Sequence, residues 1–167
     1  MQKIRTLRVL SLAALAGALV APLAASAGIP KTGGPAPAFS LPRVDGKTQT
    51  LAALRGKPVY LNFFASWCAP CNEEAPSIES LYKKYHSRGL VTVGIDELEG
   101  KTQALGFAKK FGSAYTLVLD NDGAMSKDYG IIGLPVHVFI DRRGNVSTFR
   151  QGEMSPAEIE AAIKKIL

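Results

Sequence analysis

The hydrophobic pattern of the chain predicts buried strands separated by amphipathic helices. A strand that is buried on both faces reads as a continuous apolar run, because neither face meets water. Such runs occur at residues 59–65, 90–96, 116–120 and 136–141. Before them, two short segments flank the turn signal Asp45-Gly46 and predict a leading β-hairpin.

Helical spacing of apolar residues fills the gaps between these runs. The period appears at residues 75–85 and 104–111, and Pro76 is expected to kink the first of these helices. Residues 155–158 form a capping box with proline at the first helical position. They therefore predict the start of a last helix, whose apolar face lies within residues 159–166.

The order of these elements predicts the fold class. A parallel βαβ unit with right-handed crossover comes first, an antiparallel hairpin around residues 143–145 comes later, and a helix ends the chain. Together they predict an α/β sandwich with a mixed central sheet flanked by helices. We expect one domain at residues 38–167, preceded by an extended Gly/Pro-rich lead-in at residues 28–37.

The first 27 residues have the composition of a secretory signal. Three basic residues and no acidic one precede a charge-free apolar stretch, Val9–Ala25, and the sequence Ala25-Ser26-Ala27 follows. We expect cleavage after Ala27 and a periplasmic mature protein. The alternative is an uncleaved membrane anchor facing the periplasm, although the stretch is shorter than the roughly 20 residues that span a bilayer.

The net charge argues against a nucleic-acid partner. The chain has 20 basic and 14 acidic residues, a net charge of +6, and loss of the three basic residues in the signal lowers it to +3. No basic stripe interleaved with aromatic residues occurs in the sequence. We therefore expect neither nucleic-acid binding nor membrane contact, unless the signal persists as an anchor.

Both cysteines lie at one predicted strand-to-helix junction, in Trp67-Cys68-Ala69-Pro70-Cys71. A structural disulfide stabilises most when it closes a long loop, whereas this pair closes almost none. We therefore interpret the pair as a redox-active disulfide. The partial positive charge of the helix N-terminus favours Cys68 as the attacking thiolate. Cys71, one turn further in, is then predicted to resolve the mixed disulfide.

With these motifs, the sequence resembles thioredoxin-like proteins of the TlpA/ResA group of exported thiol–disulfide oxidoreductases. The resemblance rests on Gly56-Lys57-Pro58, residues 62–71, Glu74, Pro76, residues 129–135 and residues 139–141. It extends from about residue 37 to the last helix. It implies a thioredoxin-like fold with two additions, the N-terminal hairpin and an inserted helix around residues 102–111.

The resemblance also implies the second half of a substrate site. It implies that Pro135 is a cis-proline lying against the disulfide, which would leave the backbone of Leu134 free to pair with an extended substrate segment. Trp67 is expected to offer a flat contact surface beside the reactive sulfur. Val136 and His137 stand where the family commonly has threonine, which leaves the substrate preference open.

Glu74 matches the acidic residue of the group's C-x-x-C-x-x-E-x-P pattern. A carboxylate on the active-site helix could accept or deliver a proton during exchange, or raise the pKa of a nearby thiol. The alternative is an exposed first-turn acid, which is our expectation for Glu73. The sequence leaves this choice open for Glu74.

Metal binding and peroxidase chemistry are the competing interpretations. Structural zinc needs a second close-spaced ligand pair beside the cysteines, and His86 and His137 do not supply one. The alternative function is a copper chaperone that uses Cys68, Cys71 and His137, because soft sulfur suits Cu(I). A peroxidase is not expected, since the proline and threonine upstream of that family's reactive cysteine are absent.

The sequence therefore predicts an exported thiol–disulfide oxidoreductase with no cofactor. Its expected substrates are disulfides of other periplasmic proteins. The resemblance suggests cytochrome c maturation or the cysteines of a copper site, with a membrane-bound thiol donor as the redox partner.

Overall fold

The computed structural model describes residues 29–167. The predicted signal segment, residues 1–27, lies outside the described residues. Within residues 29–167, no helix combines the length and apolar character needed to cross a membrane.

Seven strands and four α-helices make up this part of the chain. The strands are β1 (Ser40–Pro42), β2 (Thr48–Thr50), β3 (Val59–Phe64), β4 (Val91–Glu97), β5 (Thr116–Asp120), β6 (Val136–Ile140) and β7 (Val146–Gln151). The helices are α1 (Ala69–Tyr85), α2 (Lys101–Phe111), α3 (Ala124–Asp128) and α4 (Pro156–Ile166). Short 3₁₀ turns occupy Ala52–Leu54 and His86–Arg88.

The central sheet is mixed, with the strand order β5-β4-β3-β6-β7. β3 pairs in parallel with β4 and antiparallel with β6, so it lies at the centre of the sheet. All six residues of β3 are buried, as its apolar run predicts. The mixed α/β architecture expected from the element order is confirmed.

Each face of the sheet carries its own core. The first core contains the side chains of Tyr60, Phe64 and Phe139 together with buried residues of α1, α2 and α4. The second contains Leu61, Val138 and other alternate strand residues, with Met125 of α3 and residues of the lead-in. Alternation along β3 and β6 therefore decides which side chains face α1, the helix that begins at the cysteines.

The two predicted additions to the thioredoxin-like core are both present. β1 and β2 form a separate two-stranded antiparallel sheet, with Ser40 opposite Thr50. α2 is the inserted helix between β4 and β5, and it buries Ala104 and Phe107. The kink expected at Pro76 does not interrupt α1, which is assigned as one helix from Ala69 to Tyr85.

The start of α4 has the predicted capping box. The Ser155 hydroxyl accepts a hydrogen bond from the Glu158 backbone N–H at 3.3 Å, and the Glu158 carboxylate accepts one from the Ser155 N–H at 2.8 Å. The Ser155 hydroxyl also donates to the Glu158 carboxylate at 2.7 Å, and this bond, followed by the one from the Ser155 N–H, lowers the pKa of Glu158. The box fixes Ser155 as the N-cap of α4, directly after Met154, whose backbone N–H donates to Glu74 of α1.

Candidate active site

Cys68 and Cys71 form a disulfide at the junction of β3 and α1. Cys68 is the N-cap residue of α1, and its Sγ accepts a hydrogen bond from the Cys71 backbone N–H at 3.3 Å. Pro70 occupies the first turn of the helix, where a missing N–H leaves no bond unmade. The sulfur of Cys68 therefore lies where unpaired N–H groups favour a negative charge.

The Leu134-Pro135 peptide bond is cis. Val136, the next residue, pairs with Phe63 near the end of β3. The antiparallel register therefore brings Pro135 to the end of the central strands where the cysteines lie, which we call the active-site edge of the sheet. The Pro135 carbonyl accepts a hydrogen bond from the Gly152 N–H at 2.9 Å. Over residues 29–167, no backbone hydrogen bond involves Leu134, which leaves its N–H and C=O available.

Exposed apolar side chains lie on the two loops at this edge, the loop between β3 and α1 and the loop between α3 and β6. Trp67 is 71% exposed and Ile132 is 92% exposed, whereas the two cysteines are buried to within a few per cent. Trp67 is therefore a surface residue beside the disulfide and takes no part in the core. Substrate contact by Trp67 stays a prediction.

Two polar side chains hold the loop that leads into Cys68. The backbone N–H and the hydroxyl of Ser66 both donate to the Glu99 carboxylate, at 2.5 and 2.7 Å. From the other side, the Asn72 amide donates to the carbonyls of Ser66 and Cys68, at 3.0 and 2.6 Å. Lys110 of α2 in turn donates to the Asn72 side chain at 2.9 Å, so the inserted helix supports the loop.

Asp96, near the end of β4, is a buried carboxyl close to Glu99. It pairs in the sheet with Phe64, it is fully buried, and neither of its carboxylate oxygens forms a hydrogen bond within residues 29–167. Burial is the main cause that raises its pKa to about 8, and interaction with Glu99 adds to the rise. Asp96 therefore carries a proton near neutral pH.

Glu74 is buried, at 9% exposure, one helical turn after Cys71. Its Oε1 accepts a hydrogen bond from the Met154 backbone N–H at 2.6 Å. Its Oε2 lies 3.3 Å from Nε2 of His137. The interpretation of Glu74 as an exposed first-turn acid is therefore wrong, whereas Glu73 is exposed as expected.

His137 links Glu74 to the centre of the sheet. Its side chain is completely buried, and its Nδ1 lies 2.8 Å from the hydroxyl of Tyr60. Tyr60 stacks on Phe139 with ring centroids 4.5 Å apart, which fixes the position of the hydroxyl. Burial, followed by the nearby Glu74 carboxylate, raises the pKa of Tyr60 well above its ordinary value, so this hydroxyl keeps its proton.

The same contacts bear on the copper alternative. Both ring nitrogens of His137 face protein groups, Tyr60 and Glu74, and neither faces the sulfurs. His86 is exposed at the end of α1, where its Nδ1 lies 2.9 Å from the Lys83 carbonyl. Within residues 29–167, no group of three or more His, Cys, Asp or Glu side chains is arranged to hold a metal ion.

Comparison with known proteins assigns the family. A model of the redoxin family matches residues 31–165. The chain belongs to the redoxin family. This redoxin is 34% identical to the thiol–disulfide oxidoreductase ResA of Bacillus thuringiensis subsp. konkukian over 131 residues, which cover 78% of the chain and 76% of the relative.

Solved structures agree with this assignment. The redoxin superposes on a putative protein disulfide isomerase from Bacteroides thetaiotaomicron with a TM-score of 0.74 and 34% identity, over 83% of this chain and 89% of that one. It superposes on a secreted disulfide oxidoreductase of Mycobacterium tuberculosis, described as homologous to DsbE of E. coli, with a TM-score of 0.70 and 28% identity. That match covers 76% of this chain and 95% of the other.

The redoxin is a thiol–disulfide oxidoreductase with a thioredoxin-like fold, as its sequence predicts. The structure brings Trp67, both cysteines and Pro135 to one edge of the sheet. Sequence reasoning did not single out Tyr60, Asp96 or Glu99. A polar residue inside a strand buried on both faces is the signal that could have identified the first two.

Proposed function

We propose that this redoxin reduces disulfides in other exported proteins by dithiol–disulfide exchange at Cys68 and Cys71. The observation that carries the proposal is the position of Cys68 as the N-cap of α1, with its sulfur accepting the Cys71 N–H. A donor aimed at the sulfur favours the thiolate over the thiol. Cys68 is therefore the attacking nucleophile and Cys71 the resolving thiol.

The exchange moves two electrons from the protein to its substrate. The Cys68 thiolate attacks one sulfur of the substrate disulfide, which breaks and leaves a mixed disulfide and a substrate thiolate. Cys71 then loses its thiol proton and attacks Sγ of Cys68. The second substrate sulfur departs as a thiolate, and the protein holds the Cys68–Cys71 disulfide. One substrate thiolate receives the proton that Cys71 lost, and the other takes a proton from water.

In this scheme Glu74 takes the proton of Cys71. The two residues are three apart on α1, so their side chains lie on one face of the helix. Glu74 is buried on the same side of the sheet as Cys71. A carboxylate placed one helical turn from a thiol suits proton transfer through direct contact or one water molecule.

Substrate would bind at the edge that carries Trp67, Leu134 and Pro135. An extended segment can form backbone hydrogen bonds with the free N–H and C=O of Leu134, in the manner of an added strand. The exposed faces of Trp67 and Ile132 offer apolar contact on either side. Substrates with a flexible, extended segment around their disulfide fit this edge best.

We also propose that the mature protein acts in the periplasm, after removal of residues 1–27 as a signal. The composition of that segment supports export, and the similar Mycobacterium tuberculosis oxidoreductase is described as secreted. The working domain is then residues 38–167, with residues 28–37 as its lead-in. Resemblance to the ResA group favours cytochrome c maturation or copper-site cysteines as the process served, with a membrane-bound thiol donor restoring the dithiol.

Three measurements test this proposal. We expect Cys68→Ser to abolish turnover with a protein disulfide, whereas Cys71→Ser should accumulate a mixed disulfide with the substrate. Equilibrium titration of the pair against glutathione should give a potential closer to the roughly −270 mV of reducing thioredoxins than to the roughly −120 mV of strong oxidants. A potential near the oxidising end would overturn the assigned direction, and full turnover by Cys68→Ser would overturn the mechanism.

A further inference from the structure

A chain of three buried polar groups runs from Tyr60 on β3 through His137 on β6 to Glu74 on α1. The Tyr60 hydroxyl lies 2.8 Å from Nδ1 of His137, and Nε2 of His137 lies 3.3 Å from Oε2 of Glu74. Tyr60 is 1% exposed, His137 0% and Glu74 9%. The chain of groups ends one helical turn from Cys71.

His137 and Glu74 depend on each other for their remaining polar contact. Neither Nε2 of His137 nor Oε2 of Glu74 forms a hydrogen bond with any other group of residues 29–167, and 3.3 Å separates the two atoms. A buried polar atom without a partner is costly, so each of these atoms is the natural partner of the other. Nε2 of the imidazole therefore faces the Glu74 carboxyl.

The Tyr60 hydroxyl allows His137 to exist in two charge states. A hydroxyl can donate or accept, whereas each ring nitrogen of histidine donates only when it carries a proton. With neutral His137, Tyr60 donates to Nδ1 and Nε2–H faces the Glu74 carboxylate. With doubly protonated His137, Nδ1–H donates to the Tyr60 oxygen and Nε2–H forms an ion pair with Glu74.

We propose that His137 is a positioning residue for disulfide exchange, which holds the Glu74 carboxyl toward Cys71 and shares the proton that Glu74 takes from that thiol. The inference rests on the proposed function. In this role His137 must be able to take a second ring proton, which a side chain that only packs in the core would not need.

The proton balance of the step is closed. Before resolution, Cys71 carries its thiol proton, Glu74 is a carboxylate and His137 is neutral. Transfer leaves a Cys71 thiolate and one added proton on the Glu74–His137 pair, and the total charge does not change. The thiolate then forms the bond to Sγ of Cys68, and the departing substrate thiolate takes the proton back from the pair or from water.

Other charged groups near His137 are exposed. Arg150 lies opposite His137 on β7, and α4 contributes Glu158 and Lys165 on the same side of the sheet, all three in contact with water. Solvent and salt screen charges in such positions. From β3, Asn62 is opposite His137 but does not titrate. Glu74 is thus the buried charge that His137 meets.

The test uses Cys68→Ser protein, in which Cys71 is the sole thiol and its thiolate absorbance can be followed against pH. In this background we compare His137→Gln with the parent. A glutamine amide can still donate toward Glu74 but cannot take a proton, so the proton that Cys71 releases can no longer be shared between the carboxylate and an imidazole. We expect the midpoint for Cys71 ionisation to rise by about one pH unit, which is a ~10-fold loss of thiolate in that range.

Two further variants separate this role from a structural one. Tyr60→Phe keeps the ring stacked on Phe139 and removes only the hydroxyl, so we expect a smaller rise in the same direction, even where His137→Gln folds poorly. His86→Gln makes the same chemical change at an exposed site and should leave the midpoint unchanged. Thermal unfolding of each variant is measured in parallel.

The decisive comparison adds Glu74→Gln to the same background. If His137 acts through Glu74, His137→Gln causes no further shift once the carboxylate is gone. The inference is overturned if neither His137→Gln nor Tyr60→Phe moves the Cys71 midpoint, or if the shift persists at full size in Glu74→Gln protein. The proposed function stands or fails separately, on the turnover of Cys68→Ser with a protein disulfide.

Discussion

Replacement of Asp96 by asparagine should remove a pH-dependent loss of stability. Asp96 is fully buried, and its pKa is raised from the ordinary value of 3.8 to about 8, first by burial and then by Glu99. Between about pH 4 and pH 8 the folded protein therefore holds one proton more than the unfolded chain does at this residue. The stability contributed by that proton is complete below about pH 4 and is lost as the pH rises through about 8.

The size of the effect follows from the same two values. A rise from 3.8 to about 8 is about four powers of ten in the ionisation constant, or at most about 6 kcal/mol at ~1.4 kcal/mol for each power. Local relaxation and water entry reduce such penalties, so we expect about 2–4 kcal/mol at pH 8 and above. Asparagine resembles the protonated acid in shape and does not ionise.

Urea denaturation across about pH 5 to pH 9 measures this difference. We expect the free energies of unfolding of the wild type and Asp96→Asn to diverge as the pH rises to about 8 and to keep a constant difference above it, with the variant the more stable protein there. Asp128→Asn, which changes an exposed carboxyl, serves as the matched control and should run parallel to the wild type. A difference between Asp96→Asn and the wild type that did not change with pH anywhere in this range would refute the reasoning.

Two further predictions concern packing and substrate contact. Gly94→Ala would place a Cβ 2.7 Å from Leu117 Cδ2 and 3.0 Å from Tyr115 Cε2, so chemical denaturation should show a loss of about 1–3 kcal/mol. A Cβ added at Gly106, on the exposed surface of α2, would meet no atom within 4 Å. Gly106→Ala should therefore raise the free energy of unfolding by about 0.5–1 kcal/mol. Equal effects of the two substitutions would contradict the steric argument. Trp67→Ala removes a side chain that is 71% exposed, so the free energy of unfolding should change by less than about 0.5 kcal/mol. The same variant should raise KM for a protein disulfide while sparing the rate with a small disulfide, and a loss of both activities would argue against a docking role.

The fold could be predicted to the extent that local patterns determine it. The length of the apolar run at β3 and its β-branched and aromatic residues indicate a strand buried on both faces. The structure confirms that strand. The capping box at Ser155 carries its own geometry within four residues, and the structure has both of its hydrogen bonds. The position of the cysteines at a strand-to-helix junction followed from the change of hydrophobic period after residue 65.

The remaining features of the site depend on register between distant strands. Tyr60 and His137 meet because β3 and β6 pair in one particular alignment, and a shift of one residue would turn either side chain to the opposite core. No local pattern specifies that alignment. The contact between Glu99 and Ser66 likewise joins two loops 33 positions apart. Polar residues within buried strands could be noticed from sequence, but their partners could not be identified.

The pairing of β3 with β6 also determines when during synthesis the active site can exist. Tyr60 and His137 are 77 positions apart, so both cysteines are made long before the strand that completes their surroundings. Until β6 is added, the nascent chain carries two thiols but lacks Pro135, the His137 imidazole that faces Glu74, and the Leu134 backbone that would bind substrate. Because the chain has two cysteines, the one intramolecular disulfide that it can form at that stage is the native Cys68–Cys71 bond. An unfinished molecule is therefore protected from internal mispairing, although it is not yet equipped to exchange disulfides selectively with other proteins.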